Sequence, residues 1–444
     1  MDPSVLDTLR LLNPWLDEPG TFPGEAAARL PVPWIERLAP QVLTWPVPRQ
    51  AHLVVGARQV GKSSLIWHWL VDHGHPPLFV NCEELSLRGW ARSPARMAAD
   101  VRALVLPSAP LFLDEAQHLE DAGLLVKGLV DSGLPNPILV SGSSGFHLLS
   151  RTRESLAGRA TRLVMHPFSV AELAATVPGG APLLRARRLH ELCLRHAVIG
   201  GYPAAWVPGA DAAVARRLVD ALVIRDASDL FRVENLDAFR RLLHLLAGQV
   251  GSLVNASEWA ALCGISRETV SRYLDVLVES GIVHVVPPFA GGKRAELTGR
   301  PKVYVSDTGI GNALLRREAP FAEREDRGPL LEAWVGGELR KHLSALDPLD
   351  SIRFWRSTSG AEVDFVLAQP GRLLAVEVKA SPLSEPRLSR STRSFIEAYA
   401  PAEVMVLNLA LEAEAMVGST RVRWCRPEAM IDVRGWIEGG TSGG

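Results

Sequence analysis

HLVVGARQVGKSSLIWHWL, residues 52–70, decides how the rest of the chain is read. The apolar run HLVVG leads into Gly56-Ala57-Arg58-Gln59-Val60-Gly61-Lys62-Ser63, which satisfies the phosphate-loop pattern G-x-x-x-x-G-K-[ST] at each fixed position. SLIWHWL after it is compatible with a helix. Each residue type has a chemical task. Gly56 and Gly61 let backbone N–H groups curl around a β-phosphate, and the following helix N-terminus adds a positive dipole end. Lys62 neutralises β/γ oxygens, and Ser63 offers a hydroxyl to Mg²⁺. ATP with Mg²⁺ is therefore the expected cofactor pair.

Working outward, short apolar runs alternate with helical stretches: PLFVNCEE (77–84), PLFLDEAQ (110–117), PILVSGSS (137–144) and RLVMH (162–166). Continuous apolar strands separated by helices predict a parallel sheet covered on both faces. Leu111-Phe112-Leu113-Asp114-Glu115 reads as a Walker B strand, with Asp114 in the Mg²⁺ shell and Glu115 as the base that polarises water. Ser141-Gly142-Ser143-Ser144 ends the next strand at the carboxyl edge, where a γ-phosphate is sensed; spacing does not single out one serine, and Ser143 stands as the candidate.

With DEAQHLED, SGSSGFHLLS, ESLAGRATRLVMHPFSVAEL and GGYPAAW, the chain resembles the AAA-type prokaryotic ATPases that carry a C-terminal domain called DUF4143. That resemblance implies that Arg159, in LAGRA, is an arginine finger reaching a neighbouring copy, and that the protein is a homo-oligomer, a ring or side-by-side assembly. The alternative for Arg159 is a helix-end residue in a structural salt bridge.

Residues 255–286 read as helix, a turn at Cys263-Gly264-Ile265, a second helix N-capped by Ser266, and a strand, the pattern of a winged helix-turn-helix. Val270, Leu274 and Leu277 form the expected core stripe, and Arg267, Glu268, Ser271 and Arg272 the opposite face. Arg267 and Arg272, with Lys293 and Arg294 in the following Gly-rich loop, are candidate DNA contacts. Docking of a protein partner is the competing use of such a module.

In EVDFVLAQPGRLLAVEVKA, two apolar strands flank Gln369-Pro370-Gly371-Arg372, a hairpin signal. A loop centred on Pro370 and Gly371 puts Asp364 opposite Glu377, and period-two alternation puts Glu377 and Lys379 on one face. Facing acids repel, which a divalent cation would relieve. Asp364 followed by Glu377-Val378-Lys379 resembles the PD-(D/E)xK nuclease fold, although Ala361-Glu362-Val363 departs from its proline-bearing start. The resemblance implies that Asp364, Glu377 and Glu332 hold Mg²⁺ or Mn²⁺ and that Lys379 orients the water. The alternative is a retained fold in which these residues are scaffold.

At 444 residues and roughly 150 per domain, several domains are expected. The reading gives an irregular N-terminal leader (1–45), a P-loop AAA-type ATPase core (46–168), a helical lid (169–248), a winged helix-turn-helix (249–310), a PD-(D/E)xK-like α/β domain (328–427) and a partly disordered tail (428–444). A net charge of −1 excludes a uniformly basic nucleic-acid coat, so any DNA surface is a local patch. Apolar runs are too short to span a bilayer, and MDPSVLDTLRLLNPWLDEPG lacks a signal peptide's basic and apolar segments, so a cytoplasmic location is expected. Cys82, Cys193, Cys263 and Cys425 lack metal or disulfide spacing and read as reduced, buried thiols. The expected function is an ATP-hydrolysing, DNA-processing protein with metal-dependent DNA cleavage at its C-terminal domain. The alternative is a nucleotide-regulated scaffold with an inactive nuclease fold that recruits protein partners.

Overall fold

The computed structural model describes residues 1–38, 50–142, 156, 158–210, 212–225, 233–291, 299–346 and 352–439. The chain divides into two compact units, Met1–His166 with Glu279–Gly281, and Pro167–Val278 with Ile282–Gly444.

The first unit opens with a helix, α1 (Pro3–Leu12), where an irregular leader was expected. Its signals are local: Asp2 caps the helix by accepting from Ser4 N, and Pro3 occupies the first turn, where its missing N–H costs nothing. Val5 and Leu9 join the unit's hydrophobic core. The segment after α1 lies along a sheet edge: Asn13 accepts from Phe79 N at 2.7 Å and donates to Phe79 O at 2.8 Å, satisfying groups an edge strand would leave open.

The five expected strands are all present: β1 (Ala51–Gly56), β2 (Leu78–Asn81), β3 (Leu111–Asp114), β4 (Ile138–Gly142) and β5 (Ala160–Met165). They pair in parallel in the order β2-β3-β4-β1-β5, and helix α2 (Lys62–Asp72) follows the phosphate loop. Strand β4 thus lies between the loop's strand and the Asp114 strand, a placement the site uses.

In the second unit, helices Val170–Ala174, Pro182–Ile199, Ala212–Arg225 and α3 (Leu236–Gly248) cover the stretch expected to be a lid on the ATPase core. Val170, Cys193 and Ala197 share a hydrophobic core with the C-terminal sheet. Three more elements complete the middle of the unit: α4 (Ala256–Cys263), α5 (Arg267–Glu279) and an antiparallel ribbon of β6 (Val283–Val286) and β7 (Lys302–Val305). Helices α6 (Thr308–Leu315) and α7 (Arg327–Leu346) lead to the C-terminal sheet.

That sheet contains β8 (Ile352–Arg356), β9 (Glu362–Gln369), β10 (Arg372–Val378), β11 (Glu403–Leu407), β12 (Ala413–Val417) and β13 (Thr420–Cys425), in the order β12-β13-β11-β10-β9-β8. Leu331, Trp334 and Leu339 of α7 pack with Phe365, Leu374 and Met405 on one face; Phe395 and Ile396 of α8 (Arg390–Tyr399) pack with Val366, Ala375 and Val404 on the other. In the tail, a helix at Val433–Glu438 buries Val433, Trp436 and Ile437, and 440–444 lie outside the described residues. All four cysteines are free, buried thiols, as the spacing predicts.

Candidate functional sites

The phosphate loop is built by sterics at its glycines. A Cβ at Gly56 would come within 2.1 Å of Met165 O, so only glycine fits where β1 passes β5. Gly61 has φ of +95°, the left-handed region that favours glycine, and opens α2. Lys62 is 3% exposed, and its Nζ donates to Ala57 O of the loop at 2.9 Å.

Ser63 Oγ donates to Asp114 Oδ1 at 2.6 Å, joining the loop to the end of β3. Ser141 Oγ, on intervening β4, donates to the same oxygen and accepts from Glu115 N at 3.0 Å. Glu115 itself has φ of +54°, a left-handed conformation uncommon for a side-chain-bearing residue, and Gln117 Nε2 donates to its carboxylate. Burial pushes the Asp114 carboxyl above its ordinary pKa, with the Ser141 and Ser63 hydrogen bonds pulling partly back. A half-buried carboxylate and a hydroxyl on one oxygen-rich point, beside a buried lysine, fit Mg²⁺ bound together with a nucleotide phosphate.

Ser141 stands at this site; Ser143, the candidate expected, lies outside the described residues. Parallel pairing identifies Ser141, because β4 neighbours β3, an order the sequence did not reveal. Arg159 precedes β5 and pairs through Nε with Asp131 Oδ1 at 2.7 Å, the geometry of the structural alternative.

In the helix-ribbon unit, Gly264 at φ +68° ends α4, and Ser266 caps α5 by accepting from Thr269 N at 3.1 Å. The buried stripe of α5 is Val270, Tyr273, Val276 and Leu277, whereas Leu274, expected in it, is half-buried. Tyr273 carries a packing role that its polar hydroxyl concealed. Arg267, Glu268, Ser271 and Arg272 are exposed together, and the Arg272 guanidinium lies 5.6 Å from the centroid of the Tyr273 ring. Lys293 and Arg294 lie outside the described residues.

In the C-terminal hairpin, Gln369 pairs with Arg372 and Phe365 with Val376, the register expected from the Pro370-Gly371 turn. One rung further, the Asp364 side chain turns to accept from Val378 N at 2.8 Å. Lys379 Nζ lies 2.5 Å from Glu377 Oε1, so these two share a face as expected. Burial, then the like charges of Glu332 and Glu377, hold the Asp364 carboxyl well above the ordinary range. Burial also raises Glu377, against the pull of Lys379.

Three residues of this cluster were missed in the sequence. Lys302 of β7 is 3% exposed and places Nζ 3.1 Å from Glu332 Oε1 and 2.5 Å from Glu362 Oε1. Tyr304 donates its hydroxyl to the same Glu332 oxygen at 2.7 Å. Glu362 also meets Arg356 Nε at 3.6 Å. The available signal was a lysine opening the otherwise apolar strand KVYV. Among the described residues, no three His, Cys, Asp or Glu side chains are placed together to hold a metal ion. Of the expected set of Glu332, Asp364 and Glu377, Glu332 has the Lys302 ammonium 3.1 Å away and one Asp364 oxygen accepts from Val378 N. No described helix is long and apolar enough to cross a membrane.

Residues 48–174 match the family model described as an AAA domain, and residues 327–423 match that of DUF4143, a domain of unknown function. Residues 190–320 match a further domain of unknown function, DUF8612. Similar proteins include an uncharacterized protein of Mycobacterium tuberculosis and one of Mycobacterium bovis, each 29% identical over 351 residues covering 77% of this chain and 72% of the relative. An uncharacterized protein of Haemophilus influenzae is 24% identical over 353 residues, covering 73% of this chain and 81% of its own length. Among solved structures, the Aeropyrum pernix ORC1 protein in complex with DNA aligns at a TM-score of 0.27 and 18% identity, covering 68% of this chain and 96% of that one. Protein VC1899 from Vibrio cholerae aligns at 0.19 and 10% identity, covering 88% and 97%.

Proposed function

We propose that this chain is a Mg²⁺-dependent ATP phosphohydrolase that couples nucleotide turnover to engagement of DNA. The observation that carries the reading is the convergence of Ser63 and Ser141 on Asp114, with Glu115 held at the next position. Lys62, released from the Ala57 carbonyl, neutralises the β/γ oxygens, and backbone N–H groups of the loop hold the β-phosphate. Ser63 and Asp114 would hold Mg²⁺, which when bound would supply charge neutralisation at the phosphoryl oxygens. Glu115 accepts the proton of the attacking water, and Gln117 orients its carboxylate. Arg159 leaves Asp131 to serve a neighbouring copy in a side-by-side assembly.

The exposed Arg267 and Arg272 of α5 make the DNA contacts in this reading, with Lys293 and Arg294 adding phosphate contacts. Nucleotide binding and turnover in Lys62→Ala and Glu115→Gln variants test the assignment. Loss of binding in the first, and retained binding without turnover in the second, is expected; equal loss of binding in both removes the division of labour.

A second reading, a nucleotide-regulated scaffold that recruits a protein partner, is favoured by Lys302 lying on the acids of the C-terminal domain. Duplex DNA that accelerates ATP turnover supports the first reading, and turnover indifferent to DNA at low salt supports the second.

A further inference from the structure

The acid cluster of the second unit draws its cations from separate parts of the chain. Four carboxyls belong to it: Glu332 from α7, Glu362 and Asp364 from β9, and Glu377 from β10. Lys379 serves Glu377 from the adjoining turn, and Arg356 of β8 approaches Glu362. Lys302 comes from the ribbon and meets two of the acids at once, burying its ammonium while Glu332 and Glu362 keep side-chain exposures of 22% and 29%. Tyr304, two residues along the same strand, points the same way and donates to Glu332. Alternation along β7 thus sends two successive same-face side chains to one carboxylate.

We propose that Lys302 is the resident cation of this cluster, and that the cluster is a socket that holds the ribbon strand β7 against the C-terminal sheet, not a divalent-cation centre. Two features make the contact a latch. An unpaired buried ammonium is costly, so Lys302 stays buried only while Glu332 and Glu362 face it. The attraction is reciprocal, since these acids lose their nearest cation if β7 withdraws. Burial by itself lowers the Lys302 pKa, and Glu332 and Glu362 more than reverse this, so the ammonium holds its proton more firmly than a free lysine. Glu332, one of the residues that resemble a nuclease motif, and Glu362 beside Asp364 therefore hold the ribbon strand to α7 and the sheet. The inference stands apart from the proposed ATP turnover, since it involves none of Lys62, Ser63, Asp114 or Glu115.

Binding of Mn²⁺ to the full chain, counted by electron paramagnetic resonance without nucleotide, tests it in wild type, Asp364→Asn, Lys302→Met and the double variant Lys302→Met with Glu332→Gln. Wild type and Asp364→Asn are expected to bind equal numbers of ions, Lys302→Met one more, and the double variant to lose that extra ion. A wild-type ion lost in Asp364→Asn overturns the proposal, as does a folded Lys302→Met that gains none. Should Lys302→Met not fold, the comparison of wild type with Asp364→Asn decides alone. ATP turnover measured on the same preparations shows separately whether the first unit functions.

Discussion

Two regions of this molecule gather a lysine and acidic side chains around the ends of strands, and they use them in opposite ways. At the phosphate loop, Lys62 is turned to its own loop's Ala57 carbonyl, and the Asp114 carboxylate accepts from the hydroxyls of Ser63 and Ser141. At the C-terminal sheet, Lys302 is inserted onto Glu332 and Glu362, and Lys379 lies on Glu377. The first arrangement leaves its carboxylate to an incoming cation, while the second has its cations supplied by the chain. On the proposed reading, residue types at a motif do not by themselves decide whether a cation is accepted; a side chain from a distant strand does.

The largest expected effect sharpens the first half of that contrast. Lys62→Ala is expected to abolish nucleotide binding by equilibrium titration, and Glu115→Gln to lower turnover by about 10²–10⁴-fold with binding kept. At the second site, Lys302→Ala leaves Glu332 and Glu362 facing each other without their shared cation. The cost is expected to fall below the about 3–5 kcal/mol of a broken, fully buried pair, because both acids remain partly exposed. A lowered thermal midpoint that added Mn²⁺ partly restores is the outcome to look for; an unchanged midpoint would break the comparison.

Ser141→Ala removes a hydrogen bond to each of Asp114 and the Glu115 backbone, and stability is expected to fall by about 1.5–3 kcal/mol, read as a lowered thermal midpoint, with steady-state turnover dropping too. The smallest effect is pH-dependent. A carboxyl whose pKa is raised by folding contributes stability below its unfolded value of about 3.9, and that stability is lost as pH rises through the raised value. Wild type should therefore lose ground to the non-titrating Asp364→Asn as pH rises above about 4. Parallel melting curves across that range would remove the enclosed-carboxyl argument.

Features set by neighbours in sequence were legible. The phosphate loop and its flanking strand and helix, the five strands of the sheet, and the hairpin register around Pro370-Gly371 all follow from local pattern. The leader helix was legible too, in Asp2 followed by Pro3, but the density of prolines outweighed that signal. What depends on strand order or distant packing was not. Ser141 reaches Asp114 because β4 lies beside β3, and Tyr273 enters the α5 stripe because its ring meets Phe239 edge-on at 5.3 Å. The helices Val170–Ala174 and Pro182–Ile199 can cover either core by their pattern, so their sequence did not say that Val170, Cys193 and Ala197 share one with the C-terminal sheet. Lys302 stands thirty residues from Glu332 and sixty from Glu362, beyond any periodicity.

The most direct test of the contrast incubates linear, forked and four-way DNA with the full chain and Mg²⁺ or Mn²⁺, with and without ATP, in wild type and Glu377→Ala. The account predicts ATP turnover with no cleavage that depends on Glu377. Cutting by wild type that Glu377→Ala abolishes would contradict it, since the C-terminal acids would then be holding a divalent cation in place of Lys302.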